Sequence, residues 1–273
     1  MNEQEYLYLK DKLFDLIKLD IGAYKSHQMR RRLDSFIARY NSSSIMEYCR
    51  LLERDPEQLN KLQNFIPINV SEFFRDKSQF LQLKDYVLTE LLKKNFKLNI
   101  WSAACSCGQE PYSIAMILKE LSPNRKHRIL ATDIDGEALE KAKNGGPYPP
   151  SDIKNLDEQL LQRYFSRAKD GYWITKDIKN AVEFRQHDLI HAPFEQGFEL
   201  IVCRNVLIYF SDEVKAKLYG KFQHSLKEEG VLFTGGTEIV LNARAFGFTN
   251  LYPFFYQKSP TQTEASMSTQ VRI

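Results

Sequence analysis

No stretch of this chain constrains its fold more than Phe198-Glu199-Leu200-Ile201-Val202-Cys203-Arg204-Asn205-Val206-Leu207-Ile208-Tyr209-Phe210. From Leu200 to Val202 it is apolar without alternation, so a strand here is covered on both faces, as in a parallel sheet flanked by helices. The run stops abruptly at Arg204-Asn205. In an open parallel sheet the groups just beyond the carboxyl ends of the strands line the ligand crevice. A guanidinium, a carboxamide and, five residues past the arginine, the phenol of Tyr209 are therefore delivered to a candidate active site.

Other segments supply neighbours for such a strand. Leu98–Ala104, Arg128–Asp133, Ala181–Arg185, Glu199–Cys203 and Gly230–Thr234 read as strands, with helices over Glu110–Leu121 and Gly136–Asn144. This alternation predicts an α/β, doubly wound sheet. Phe246-Gly247-Phe248 and Tyr252–Tyr256 are expected to close it as a hairpin. Between Gly146 and Ala181 the alternation lapses. Leu160–Phe165 is compact and apolar, and Ala168-Lys169-Asp170-Gly171 before Tyr172-Trp173-Ile174 is a hairpin signal.

Ahead of the sheet, Tyr6, Leu9, Leu13, Leu16 and Ile17 recur at helical spacing, as do Met29, Leu33, Phe36, Ile37 and Tyr40. Ser44-x-x-Glu47 reads as a capping box opening a third helix. Asp55-Pro56 opens a fourth, with Leu59, Leu62 and Ile66 on its apolar side, and Pro67 ends it. The expected organisation is a helical domain over residues 1–75 and a sheet-bearing domain over 76–257, entered through a helix from Lys77 to Lys94. A small β-subdomain at about 160–180 and a polar, disordered tail over 258–273 complete the expectation.

Hydrophobic content of 43%, with 18 Phe and 14 Tyr, suffices for a substantial core. No apolar run approaches a membrane span, and Met1-Asn2-Glu3-Gln4-Glu5 is too acidic for a signal peptide, so a cytoplasmic protein without membrane insertion is expected. Cys49, Cys105, Cys107 and Cys203 show no disulfide-framework spacing, and Cys105-x-Cys107 lacks the second Cys or His pair of a zinc site. No metal is expected. The net charge of +3 does not point to nucleic acid, but residues 25–39 carry Lys25, Arg30, Arg31, Arg32 and Arg39 against Asp34 alone.

The loop from Ser102 to Gly108 joins a strand to a helix and contains only small residues, so its backbone can approach a ligand closely beside free helix-start amides. Its single Gly is a weak match to a dinucleotide fingerprint, and an ordinary tight turn is an equal alternative. Glu110 would repel a pyrophosphate but suits a cation such as the amino group of S-adenosyl-L-methionine. Asp133, ending the second strand, can accept from both hydroxyls of a ribose, a feature shared by nicotinamide enzymes and methyltransferases. Asp135 reads as the cap of the next helix. His187 reads as a packed or surface histidine, Arg75 as a surface arginine, and Phe73-Phe74 as a hydrophobic plug between domains.

Three segments in order, Asn69-Val70-Ser71-Glu72-Phe73-Phe74-Arg75, Ser102–Ser113 and Phe198–Phe210, resemble the chemotaxis receptor methyltransferases of the CheR family. The resemblance runs from about the first helix to Tyr256. It implies an S-adenosylmethionine-dependent methyltransferase (Rossmann-like) doubly wound sheet with a small β-subdomain and an antiparallel last strand, preceded by an all-α N-terminal domain. It implies methylation of glutamate carboxylates on methyl-accepting chemotaxis receptors, with S-adenosyl-L-homocysteine as product. By the same resemblance Asn69, Ser71 and Arg75 reach the cofactor and the reacting centre, Ser71 standing where the family usually has Thr. Asp188 would accept from the adenine amino group, at a position where the family often has Asn, and Leu189 would support the ring. Arg204 is counted with the cofactor contacts, and Asn205 is structural or cofactor-facing.

A glutamate carboxylate is already ionised at neutral pH, so methyl transfer needs no general base, only alignment and exclusion of water. Arg75 and Arg204 are expected to orient that carboxylate and Tyr209 to line the transfer channel. A nucleic-acid methyltransferase is the nearest rival, but the Asn/Asp-Pro-Pro-aromatic segment such enzymes need is absent at Arg204-Asn205-Val206-Leu207. A methyltransferase of another protein, or a non-catalytic nucleoside-binding signalling module, remains an alternative. Lys25, Arg31, Arg32 and Arg39 are read as one basic flank of the second helix that docks the receptor, a solvated face being the alternative. A monomer is expected, with the β-subdomain contributing shape near the receptor.

Overall fold

A computed structural model describes residues 1–40, 44–66 and 71–260, and the chain divides into two compact units. The first comprises Met1–Asn69 with Ile208–Lys215. Its helices are α1 (Glu3–Ile17), α2 (Ser26–Ile37), α3 (Ile45–Arg54) and α4 (Pro56–Phe65). Each starts where the side chains dictate. Asn2 and Glu5 form a reciprocal capping box, Ser44 Oγ accepts from the Glu47 amide at 3.2 Å, and Asp55 caps α4 ahead of Pro56. The apolar stripes close on one another: Leu9, Leu13, Leu33, Tyr48 and Leu62 are fully buried, and the rings of Phe36 and Phe65 lie 4.5 Å apart. The segment 208–215 joins this unit through backbone pairing, with Lys25 N donating to Tyr209 O at 2.8 Å and Ser211 N to Ala23 O at 3.0 Å.

The second unit is entered through α5 (Lys77–Gln82), a π-helical stretch (Leu83–Leu88) and α6 (Thr89–Lys94). Then follow β1 (Asn99–Ala103), α7 (Gln109–Leu121), β2 (Arg128–Asp133), α8 (Gly136–Asn144), α9 (Glu158–Tyr164), β3 (Phe165–Ala168), β4 (Gly171–Ile174), α10 (Lys176–Lys179) and β5 (Val182–Gln186). β6 (Phe198–Cys203), α11 (Asp212–Ser225), β7 (Leu226–Thr234), β8 (Phe248–Tyr252) and β9 (Phe255–Lys258) complete the chain. The main sheet has the order β5-β2-β1-β6-β7-β9-β8, parallel through β7 and antiparallel at β9 and β8. It is the doubly wound sheet that the strand–helix alternation predicts, with the antiparallel last strand that the resemblance implies. Every residue of β6 is buried: the apolar run Leu200–Val202, as its lack of alternation requires, and also Glu199, whose Oε2 accepts from Asn99 N at 2.6 Å. No helix among the described residues is long and apolar enough to cross a membrane.

Two sequence expectations change. Residues 160–164 are the body of α9, capped by Asp157 Oδ1 accepting from Leu160 N at 2.8 Å, so the β-subdomain reduces to the β3–β4 hairpin turning at Lys169-Asp170. Phe73 and Phe74 belong to this unit's own core: Phe73 packs edge-on to Tyr148 and Phe165 at 4.9 and 5.0 Å, and Phe74 lies 5.4 Å from Phe80.

Candidate active site

The carboxyl ends of β1, β2, β5 and β6 carry the residues that the sequence singles out. After β1 the chain folds tightly, with Ala104 and Ser106 at φ 61° and 49° and Gly108 at φ 88°. Only glycine fits at 108, since a Cβ there would meet Ala142 Cβ at 2.9 Å in addition to its left-handed backbone. Asp133 at the end of β2 fixes this loop, its Oδ2 accepting from Ser106 N at 2.7 Å and its Oδ1 from Asp135 N at 2.9 Å. Burial raises the Asp133 pKa, and the donated backbone N–H groups oppose the rise. Asp135 caps α8, as the sequence suggests.

Glu110 stands in the first turn of α7 with its side chain 12% exposed. Ser102 Oγ donates to its Oε1 at 2.8 Å, and Arg204 Nη1 approaches its Oε2 at 3.5 Å. Burial still lifts its pKa above the ordinary carboxyl value against the pull of Arg204 and Ser102. A carboxylate kept in such surroundings is favourable to a cationic ligand.

Arg204 lies deeper than the sequence reading implies, its side chain only 1% exposed. Its Nη2 donates to Asp76 Oδ2 at 2.8 Å, Arg75 O at 3.0 Å and Gln79 Oε1 at 3.1 Å, and the guanidinium sits over the rings of Phe233 and Phe80 at 4.8 and 5.2 Å. Its Nε is buried with no protein partner. Arg204 therefore gathers Asp76, Glu110 and the main chain of Arg75 instead of projecting freely into a crevice. Asn205 takes the left-handed conformation at φ 61°, and Glu238 holds it there by accepting from both Asn205 N at 2.6 Å and Gly235 N at 2.8 Å.

Beyond β5, Asp188 Oδ1 accepts from Ile190 N at 2.7 Å and His191 N at 3.4 Å, and Leu189 is buried beside it. Ser71 and Arg75 are half-buried, and Asn69 lies outside the described residues. Tyr209 groups with the helical unit. The structure thus brings together Arg75, Glu110, Arg204 and Asn205. It adds Asp76, Gln79, Ser102 and Glu238, which sequence reasoning missed; the Gly235-Gly236 pair that lets Glu238 close on Asn205 is the one local sign of the last.

The basic flank of α2 divides. Lys25, Arg31 and Arg39 are exposed. Arg32 is committed internally, donating to Phe65 O at 2.6 Å and Ile66 O at 3.3 Å and stacking on the Phe65 ring, so it caps α4 and is not available for docking. Consecutive residues lie about 100° apart around a helix, which is why Arg31 and Arg32 do not share one flank.

Residues 69–253 match the CheR methyltransferase SAM-binding domain, and residues 4–66 match the CheR methyltransferase all-alpha domain. A chemotaxis protein methyltransferase of Listeria monocytogenes is 41% identical over 94% of this chain and 98% of its own length. One of Borreliella burgdorferi is 34% identical over 92% and 95% of the two chains, and chemotaxis protein methyltransferase 1 of Pseudomonas aeruginosa is 36% identical over 81% and 85%. With both of its domains matched in order, the chain belongs to the CheR family of S-adenosylmethionine-dependent methyltransferases.

Proposed function

We propose that this enzyme methylates glutamate side-chain carboxylates of chemoreceptors. The observation that carries the reading is the buried Arg204 with Glu110 and Asp76 gathered on it at the carboxyl ends of the sheet, in a chain whose relatives are chemotaxis protein methyltransferases. The residues present fit the cofactor. The near-buried Glu110 carboxylate, raised in pKa by its surroundings, gains from an ammonium partner, and Asp133 retains lone pairs for ribose hydroxyls beside its two backbone donors. Asp188 and Leu189 are assigned to adenine, and Asn69, Ser71 and Asn205 to the rest of the cofactor contacts. When bound, S-adenosyl-L-methionine supplies a sulfonium methyl that is transferred to a carboxylate oxygen, leaving S-adenosyl-L-homocysteine.

The substrate carboxylate arrives ionised, so no residue has to take a proton. What the chain contributes is orientation and a dry approach. Arg75 is assigned to orient the carboxylate and Tyr209 to line the approach. Arg204 acts through Arg75, whose carbonyl it binds, and through Glu110; this supports a positioning role for it in place of direct substrate contact. The exposed Lys25, Arg31 and Arg39 are assigned to receptor docking, and Arg32 is withdrawn from it.

Incubation with methyl-labelled cofactor and receptor-enriched membranes tests the reading. Label entering the receptor band and released as methanol by mild base is the expected result. Label that survives base, or that enters nucleic acid instead, would overturn it.

A further inference from the structure

The loop after β5 is folded around an ammonium group that the mechanism above does not use. Lys221, one turn before the end of α11, donates from Nζ to Leu189 O at 2.9 Å, Ile190 O at 3.2 Å and Ala192 O at 2.9 Å. Those bonds take all three hydrogens of an ammonium. The charge also lies 4.0 Å from the centroid of the Phe194 ring. Three carbonyls converging on one point repel one another and lose their partner together if the cation is removed. Within the same loop, Asp188 Oδ1 accepts from Ile190 N and His191 N, and Asp188 O accepts from Ala192 N at 3.0 Å. Its second carboxylate oxygen takes no part in these bonds. The lysine and the aspartate thus hold the same turn, one through its carbonyls and the other through its amides.

We propose that Lys221 is a positioning residue for the adenine end of the cofactor site, its ammonium fixing the Asp188–Ala192 turn so that Asp188 and Leu189 face the base. The inference rests on the assignment of those two residues to adenine. A lysine that only strengthens the fold would affect stability and leave base selectivity intact. One that sets the Asp188 carboxylate controls selectivity, because a carboxylate accepts from the 6-amino group of adenine and not from the 6-oxo group of its deaminated form.

Calorimetry on the full chain with S-adenosyl-L-homocysteine and S-inosyl-L-homocysteine makes the test. Lys221→Met, which keeps the aliphatic stem, should weaken the adenosyl ligand about tenfold and shrink its advantage over the inosyl ligand by a similar factor. Its kcat at saturating cofactor should stay within about twofold of wild type, and Lys221→Arg should recover part of the selectivity. If Lys221→Met does not fold, Lys221→Gln gives the same comparison. Wild-type selectivity in the folded variant, even at a lower Tm, would overturn the proposal. Asp188→Ala separates the two ideas: selectivity lost there but kept without Lys221 refutes the lysine's role alone, whereas selectivity kept in both refutes the adenine assignment.

Discussion

At Glu110 the folded chain holds a carboxyl above its ordinary pKa, because burial outweighs the pull of Arg204 and the bond from Ser102. A carboxyl raised on folding contributes stability while protonated; that contribution is complete below the unfolded pKa and is lost as pH rises through the folded one. Once ionised, the side chain therefore opposes folding of the ligand-free protein, and a cationic ligand offsets the penalty. Glu110→Gln should raise the ligand-free Tm at neutral pH, the gain fading on acidification below the ordinary carboxylate range. Arg204 keeps its anionic partner Asp76 in that variant. The same change should weaken S-adenosyl-L-homocysteine by about tenfold or more, since a charge-assisted bond is lost. Thermal scans across pH, with and without ligand, read both effects. An undiminished ligand-induced shift in Tm would remove Glu110 from the cofactor site.

Among the elements, β6 is legible because its cause is local: three apolar residues without alternation followed by Arg204-Asn205. The caps of α3, α4 and α8 are legible for the same reason. α9 is not, because Leu160–Phe165 is too short for its apolar content to separate helix from strand, and the Asp157 cap three residues before Leu160 decides it. Glu238 is illegible for a different reason. Its partner is a backbone N–H 33 residues earlier, and such a contact leaves no mark on side-chain type at Asn205. Its trace is steric: a Cβ at position 235 would meet Glu238 Oε2 at 2.5 Å and Asn205 N at 3.0 Å. The corner after β6 is thus built by two elements together. Glu238→Ala should strand the buried Gly235 amide and the half-buried Asn205 amide, costing about 2 kcal/mol, and lower kcat/KM as the corner relaxes. Glu238→Gln retains an acceptor and should recover most of both. Denaturant unfolding and steady-state methylation check this, and wild-type turnover in Glu238→Ala would show that the corner's geometry does not matter to the reaction.

For the whole molecule, a net charge of +3 gives little long-range attraction to an acidic partner, so steering must come from a local excess such as Lys25, Arg31 and Arg39. Exposed charges of this kind act within a Debye length of about 10 Å at 0.1 M salt, which makes docking through them salt-sensitive. Of the two neighbouring arginines, Arg31 is exposed and Arg32 is bound to the carbonyls at the end of α4. Arg31→Glu changes an exposed side chain, so Tm and cofactor affinity should hold while the KM for receptor rises severalfold and its salt dependence flattens. Arg32→Glu instead removes the cap on the Phe65 and Ile66 carbonyls and the stacking on the Phe65 ring, so it should destabilise the helical unit by about 1–3 kcal/mol whether or not receptor is present. Equal effects of the two reversals on Tm would contradict the capping role. If receptor methylation by Arg31→Glu kept the wild-type KM at every salt concentration, α2 would not be the surface that receives the receptor.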